Sequence, residues 1–142
     1  GAMEFGALVL SASPFQGRRR VIDISGDGAN NNGAPVLGVW ARTLAKRITI
    51  NGLPIINGRP SRYGTVPIAN LDRYYRECVI GGAGAFIVVA NGFKDLARAI
   101  RRKMILEIAG RGPKPRLIPA SSHLPGKCMD GEWKLRWDLE DM

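Results

Sequence analysis

The sequence predicts an α/β domain with a mostly parallel, doubly wound, Rossmann-like sheet, truncated to about three core strands. Three observations predict it. Short apolar runs (Val21 to Ser25, Ile48 to Ile56, Ala85 to Ala90) alternate with stretches whose apolar residues recur at helical spacing. That alternation implies crossover connections and a parallel sheet. The first of these strands ends in Asp23, Ser25, Asp27 and a turn rich in glycine and asparagine, and open α/β sheets hold their ligands at the carboxyl ends of strands. Finally, 142 residues with 45% hydrophobic content suffice for one domain with a modest core, and no apolar run approaches the roughly 18 residues a membrane span needs.

Taken in order, residues 4 to 13 read as an apolar helix stopped by Pro14, because the residue before a proline avoids the α region. Gly1-Ala2-Met3 ahead of it reads as a protease-cleavage scar, with any targeting segment removed. Val21 to Ser25 follows as a strand with two apolar faces, which implies burial on both sides. Gly26 to Pro35 is a loop of turn formers. From Val36 to Arg47 the positions Leu37, Trp40, Ala41, Leu44 and Ala45 mark a helix entered from Pro35.

Ile48 to Ile56 is the second strand. Its Pro54 cannot donate to a ladder, so pairing is expected to be finished there. A loop over 57–70 leads to a short helix, Leu71 to Cys78. Gly81 to Gly84 then turns into the third strand, Ala85 to Ala90. The four-residue glycine turn precedes a strand instead of opening a helix, so it lacks the context of a dinucleotide-binding loop and reads as a tight turn. The last helix, Phe93 to Ala109, places Phe93, Leu96, Ala97, Ile100, Met104, Ile105 and Ile108 on one face, the expected core face, and stops at Gly110. The domain is thus expected over residues 1–110. Residues 111–142 form a proline-rich tail in which Trp133 to Leu139 alternates weakly, either an added edge strand or loosely packed chain.

Charge is the strongest compositional signal. Twenty-one Lys and Arg against 12 Asp and Glu leave a formal charge of +9, concentrated at Arg18 to Arg20, Arg98 to Lys103 and Arg111 to Arg116. Composition alone favours a solvated basic surface. A phosphate-rich polymer held by Arg18, Arg19, Arg20, Arg101, Arg102 and Lys103 is the alternative, and it predicts binding that falls steeply with salt. Cys78 and Cys128 match no metal spacing. They pair in an oxidising compartment or stand as two unrelated, mostly buried thiols, and the latter is the expected state. His123, with Ser121 and Ser122 beside it, lies in the tail, a poor scaffold for a catalytic triad.

The stretches Arg19-Arg-Val-Ile-Asp-Ile-Ser-Gly-Asp-Gly-Ala-Asn-Asn, Ile48-Thr-Ile-Asn-Gly-Leu-Pro-Ile and Leu71-Asp-Arg-Tyr-Tyr-Arg-Glu-Cys-Val-Ile-Gly-Gly-Ala-Gly-Ala-Phe resemble the bacterial domain-of-unknown-function family 1194. So does the helix ending Ile100-Arg-Arg-Lys-Met-Ile-Leu-Glu-Ile-Ala, and the likeness runs over roughly residues 5 to 110. That family is similar to von Willebrand factor A domains, doubly wound sheets with a metal-ion-dependent adhesion site. The resemblance implies a carboxyl-terminal half of such a domain. Gly26-Asp27-Gly28 looks like the third-loop metal motif, while the first-strand motif has no counterpart before Val21. A periplasmic or secreted location is implied for the full-length family member, together with a protein partner.

The candidate site is therefore Asp27, with Asp23 and Ser25 as weaker ligands, an oxygen-only set suited to Mg²⁺, Mn²⁺ or Ca²⁺. Against it stands a reading in which Asp27 and the asparagines Asn30 to Asn32 only satisfy turn backbone. Asp23, inside its strand, needs a partner. The neighbouring arginines are candidates, although strand alternation turns Arg20 to the opposite face. Three functions remain: a binding or interaction module, with or without a divalent metal; a basic nucleic-acid-binding protein; and a small metal-dependent hydrolase centred on Asp23 and Asp27. Binding is favoured over catalysis, because no nucleophile or paired acid and base is displayed. In a doubly wound order the strand 21–25 would lack one neighbour, and exposed edges recruit strands, so a homodimer through that edge is expected.

Overall fold

In the computed structural model the described residues are 1–15, 17–58, 69–109, 128, 129 and 132. Helix α1 spans Ala2–Ala12, strand β1 Val21–Gly26, helix α2 Val36–Ala45 and strand β2 Thr49–Pro54. Helix α3, Leu71–Tyr74, continues as a π turn over Tyr75–Val79, and a 3₁₀ turn over Phe93–Asp95 leads into helix α4, Leu96–Ile108. The expected loop over 57–70 falls mostly outside the described residues. So do Gly110, the triad candidates of the tail and the alternating segment 133–139.

β1 and β2 form a two-stranded parallel sheet in continuous register from Val21 opposite Thr49 to Gly26 opposite Pro54. The chain is thus of mixed α/β type. The segment 85–90, expected as a third regular strand, instead makes isolated parallel bridges from Ile87 to Gly52 and from Ala90 to Ile55. Its backbone still bonds the far edge of β2. Gly52 N donates to Phe86 O (3.0 Å), Val88 N to Gly52 O (3.0 Å) and Ala90 N to Pro54 O (3.0 Å). Pairing therefore does not finish at Pro54. A proline removes one donor and leaves its carbonyl able to accept, and the ladder resumes with Ile55 N to Gly26 O (2.9 Å) and Ile56 N to Ala90 O (2.8 Å).

The strand register separates two faces. Ile22, Ile48 and Ala7 pack together under α1, while Ile50 joins Met3, Val36, Val39, Leu71, Tyr75 and Cys78 under α2 and α3. Met3 is buried in this cluster, while Gly1 and Ala2 ahead of it are exposed. Glu4 of α1 reaches Arg42 of α2 at 3.5 Å, which sets the two helices side by side. On the opposite face α4 packs over Leu53, Ile55, Phe86, Val88 and Ala90 through Ala99, Leu96 and Leu106.

α4 is rotated from the expected orientation. Its buried residues are Ala99 and Lys103, whereas Ile100, Met104, Ile105 and Ile108 are exposed, Ile108 by 83%. The cause is electrostatic and steric. Small Ala99 allows close approach to the sheet, and Lys103 is drawn inward by carboxylates on both sides. β1 also departs from the two-faced burial expected of it: only Ile22 is buried, and Asp23 and Ser25 are exposed.

The glycine turn is a packing feature. A Cβ at Gly81 would lie 2.7 Å from Trp40 Nε1, and Gly82 (φ +90°) sits 3.0 Å from the Cα of Thr49 by the same measure. Cys78 and Cys128 are both buried but not unrelated: they form a disulfide across a separation of 50 residues, with Cα atoms 5.5 Å apart. Their spacing gave no hint of the pairing, because residues 50 apart meet only through tertiary contact.

Candidate functional site at the carboxyl end of β1

β1 ends beside a cavity of about 360 Å³. Its lining includes Ser25, Gly26, Asn30, Tyr74, Tyr75 and Met3. The π turn begins at Tyr75, with Tyr74 as the residue before it, and turns of this kind recur where a helix carries functional side chains. Tyr75 Oη donates to Gly26 O at 3.4 Å, and Tyr74 Oη accepts from Asn30 N at 3.1 Å. Burial, aided by the neighbouring Tyr74 phenol group and the Asp27 charge, pushes the Tyr75 phenol well above its usual range. Burial likewise raises Tyr74, against the pull of the Asn30 N–H. Both phenols are neutral hydrogen-bonding groups here.

The loop leaving β1 is held at several points. Asn30 Nδ2 donates to Ala34 O (3.2 Å) and to Glu132 Oε1 (2.5 Å), and Val36 N donates to the same Glu132 oxygen at 2.7 Å. Asp27 is exposed and accepts from Asn57 Nδ2 at 3.2 Å. Asn57 comes from the segment that follows β2, so this bond ties together the chain leaving both strands.

The expected ligands divide between two places. Ser25 lines the cavity, and Asp27, set between the lining residues Gly26 and Gly28, turns to Asn57. Asp23 points to the α4 face, where Lys103 Nζ contacts its Oδ1 and also meets Glu107 Oε1 at 2.8 Å. The partner Asp23 needed is thus Lys103, 80 residues away in sequence, and none of the neighbouring arginines. Asn51 Nδ2 donates to Glu107 Oε1 at 2.9 Å and Asn51 Oδ1 accepts from Phe86 N at 3.2 Å, which closes the network. Burial and the nearby Glu107 carboxylate hold Asp23 above its ordinary value, against the opposing pull of Lys103. Burial acts on Glu107 in the same sense, but hydrogen bonds from Lys103, Asp23 and Asn51 outweigh it and hold that carboxyl low.

Among the described residues no group of three or more His, Cys, Asp and Glu side chains is placed to hold a metal ion. Asp27 and Ser25 offer one exposed carboxylate and one hydroxyl at the end of β1, too few donors for a closed protein cage around a cation. Of the basic candidates, Arg18, Arg19, Arg101 and Arg102 are exposed, Arg20 is half-buried with Nη2 3.5 Å from Ser11 Oγ, and Lys103 is buried in its ion pairs. Lys103 is therefore not available to an external phosphate.

Sequence reasoning missed Tyr74, Tyr75 and Glu132. The adjacent tyrosines sit in a motif read only as a short helix. Glu132 lies in a stretch without periodicity, where the one signal was Cys128 four residues before it.

The family model described as Protein of unknown function (DUF1194) matches residues 1–112. The chain belongs to this family. The DUF1194 match begins at residue 1, in keeping with the burial of Met3, and it takes in all of β1, β2 and α4. No curated protein and no solved structure matches the chain.

Proposed function

We propose that this DUF1194 chain is an interaction module, a von Willebrand factor A-like half-domain that pairs with a second copy of itself through the outer edge of β1. In this reading residues 86–90 are the third core strand, and the sheet runs β1, β2, 86–90. The observation that carries it is an unfilled layer beside β1. Thr49 N donates to Arg20 O and Ile55 N to Gly26 O. Even-numbered β1 residues therefore face β2, and Val21, Asp23 and Ser25 turn their backbone groups to the other edge. Among the described residues no strand occupies that edge.

The helices on both faces leave apolar surface over the same gap. Around α4, Ala99 and Leu106 pack toward 86–90, and Lys103 and Glu107 sit over Asp23 and Asn51. At about 100° per residue, Ile100, Met104 and Ile108 continue that rotation past β1. On α1, Glu4 reaches α2, and exposed Phe5 and Val9 lie on the flank turned away from it. An occupant must supply a strand and apolar helical surface on both faces. A second copy does so. A two-fold axis normal to the sheet pairs β1 with β1 antiparallel, and sets α1 against α1 and α4 against α4.

Light scattering on the eluting protein is expected to give twice the chain mass. Val21→Pro removes an outward donor without touching the β1–β2 ladder, and Met104→Glu charges the α4 stripe; each is expected to yield monomer. A monodisperse wild-type monomer overturns the reading.

Mg²⁺, Mn²⁺ or Ca²⁺ at Asp27 and Ser25 is the metal-dependent form of the same proposal, with a partner carboxylate completing the shell. Calorimetric titration of these ions is expected to show saturable binding that Asp27→Ala abolishes. Absence of heat in the wild-type protein removes the metal and leaves the edge contact.

A further inference from the structure

α2 begins without a cap of its own. The residue at its N-cap is Pro35, which makes no side-chain capping bond. The Val36 N–H that follows would be an orphan donor at a helix N-terminus, where a negative charge is favoured. Glu132 fills that role from 96 residues away, and the same oxygen holds Asn30 of the site loop. Asn30 is thereby fixed from two sides, its amide by Tyr74 and its side chain by Glu132.

Nothing local in the sequence carries Glu132 to this spot. The disulfide does. Cys78 is buried among Met3, Val36, Val39 and Ile50, and Cys128 is bonded to it there. Glu132 stands four residues beyond Cys128, and its N–H bonds Met129 O at 3.0 Å. Closing the bond turns a contact of long loop-closure entropy into one spanning a few residues, and so raises the effective concentration of the carboxylate at α2.

We propose that the Cys78–Cys128 disulfide is a strap that delivers Glu132 as a positioning residue for the loop at the end of β1, so that this loop is ordered only in the oxidised protein. Reduction takes two electrons and two protons from a dithiol, opens the S–S bond to two thiols and leaves the reductant as a disulfide. Both half-cystines are only 1% exposed, so a reductant reaches them only through local opening. The strap is therefore set once, in an oxidising compartment, and does not cycle rapidly. The inference is independent of dimer formation, because it concerns the interior of one copy.

Residue-resolved amide hydrogen exchange on the full chain tests it. In Cys128→Ser the Val36 and Asn30 amides are expected to exchange about tenfold faster, the loss of a hydrogen bond to a charged group, while the Ile50 and Gly52 amides of β2 keep their protection. Glu132→Ala, with the disulfide intact, is expected to reproduce the change at Val36, and Glu132→Gln, which keeps an acceptor oxygen, to restore most of it. Unchanged exchange at Val36 in Glu132→Ala overturns the proposal, whatever the fate of Cys128→Ser. Equal loosening of β2 and the loop in Cys128→Ser also overturns it, by making the disulfide a global staple.

Discussion

β1 and β2 are neighbouring parallel strands of six residues each, in register from end to end, yet they live in different surroundings. Every residue of β2 is buried, including Thr49, Asn51 and Pro54, whereas β1 buries only Ile22. Composition runs the other way. β1 reads Val-Ile-Asp-Ile-Ser-Gly and β2 reads Thr-Ile-Asn-Gly-Leu-Pro, so the strand richer in β-branched residues is the more exposed. What differs is the number of neighbours. β2 bonds chain on both edges and lies beneath helices on both faces, while among the described residues β1 has a partner on one edge alone. Burial of a strand is thus a property of its position in the sheet as much as of its residues.

The sharpest way to break the comparison is in the two cores. Leu53→Ala, at a site only 1% exposed, empties space between β2 and α4 and is expected to cost about 3 kcal/mol. Ile24→Ala on half-buried β1 is expected to cost about 1 kcal/mol, because part of the side chain is already in water. Urea unfolding checks both, with midpoints shifting and slopes unchanged. Equal losses would mean that β1 is covered in solution, which is the dimer reading seen from the side of stability.

Much of this fold was legible. Helix and strand boundaries at α1, β1, α2 and β2 follow from Pro14, Pro35 and the apolar periodicities, signals that act within a turn or two. The rotation of α4 was not legible. Its most hydrophobic stripe, Ile100 to Ile108, marks the expected core face, and a helical pattern cannot say that Lys103 will be pulled under by Asp23 and Glu107. The site divides in the same way. Asp27, Ser25 and the asparagine loop were visible in one short run, while Tyr74, Tyr75 and Glu132 arrive through contacts spanning 44 to 102 residues. Where a residue's role is set by a partner far along the chain, local spacing carries no record of it.

A smaller effect tests how β1 is covered on its α4 side. Lys103 is 7% exposed and Asp23 41%, so the pair is asymmetric. Asp23→Asn leaves the lysine its bond to Glu107 and is expected to lose less than about 1 kcal/mol. Lys103→Met removes the cation between two carboxylates and is expected to lose about 2 kcal/mol at neutral pH, below the range for a fully buried pair because both acids keep access to water. The pH dependence gives the sign. Without Lys103 the folded-state values of both acids rise above their unfolded ones, so the loss is full above those raised values. It fades as the pH falls toward about 4, where the unfolded chain takes up the same protons. Thermal unfolding of both variants between pH 4 and 7 reads this directly. A Lys103→Met penalty that stays constant across the range would show that the fit of the side chain against β1, and not the titration of Asp23 and Glu107, sets the loss.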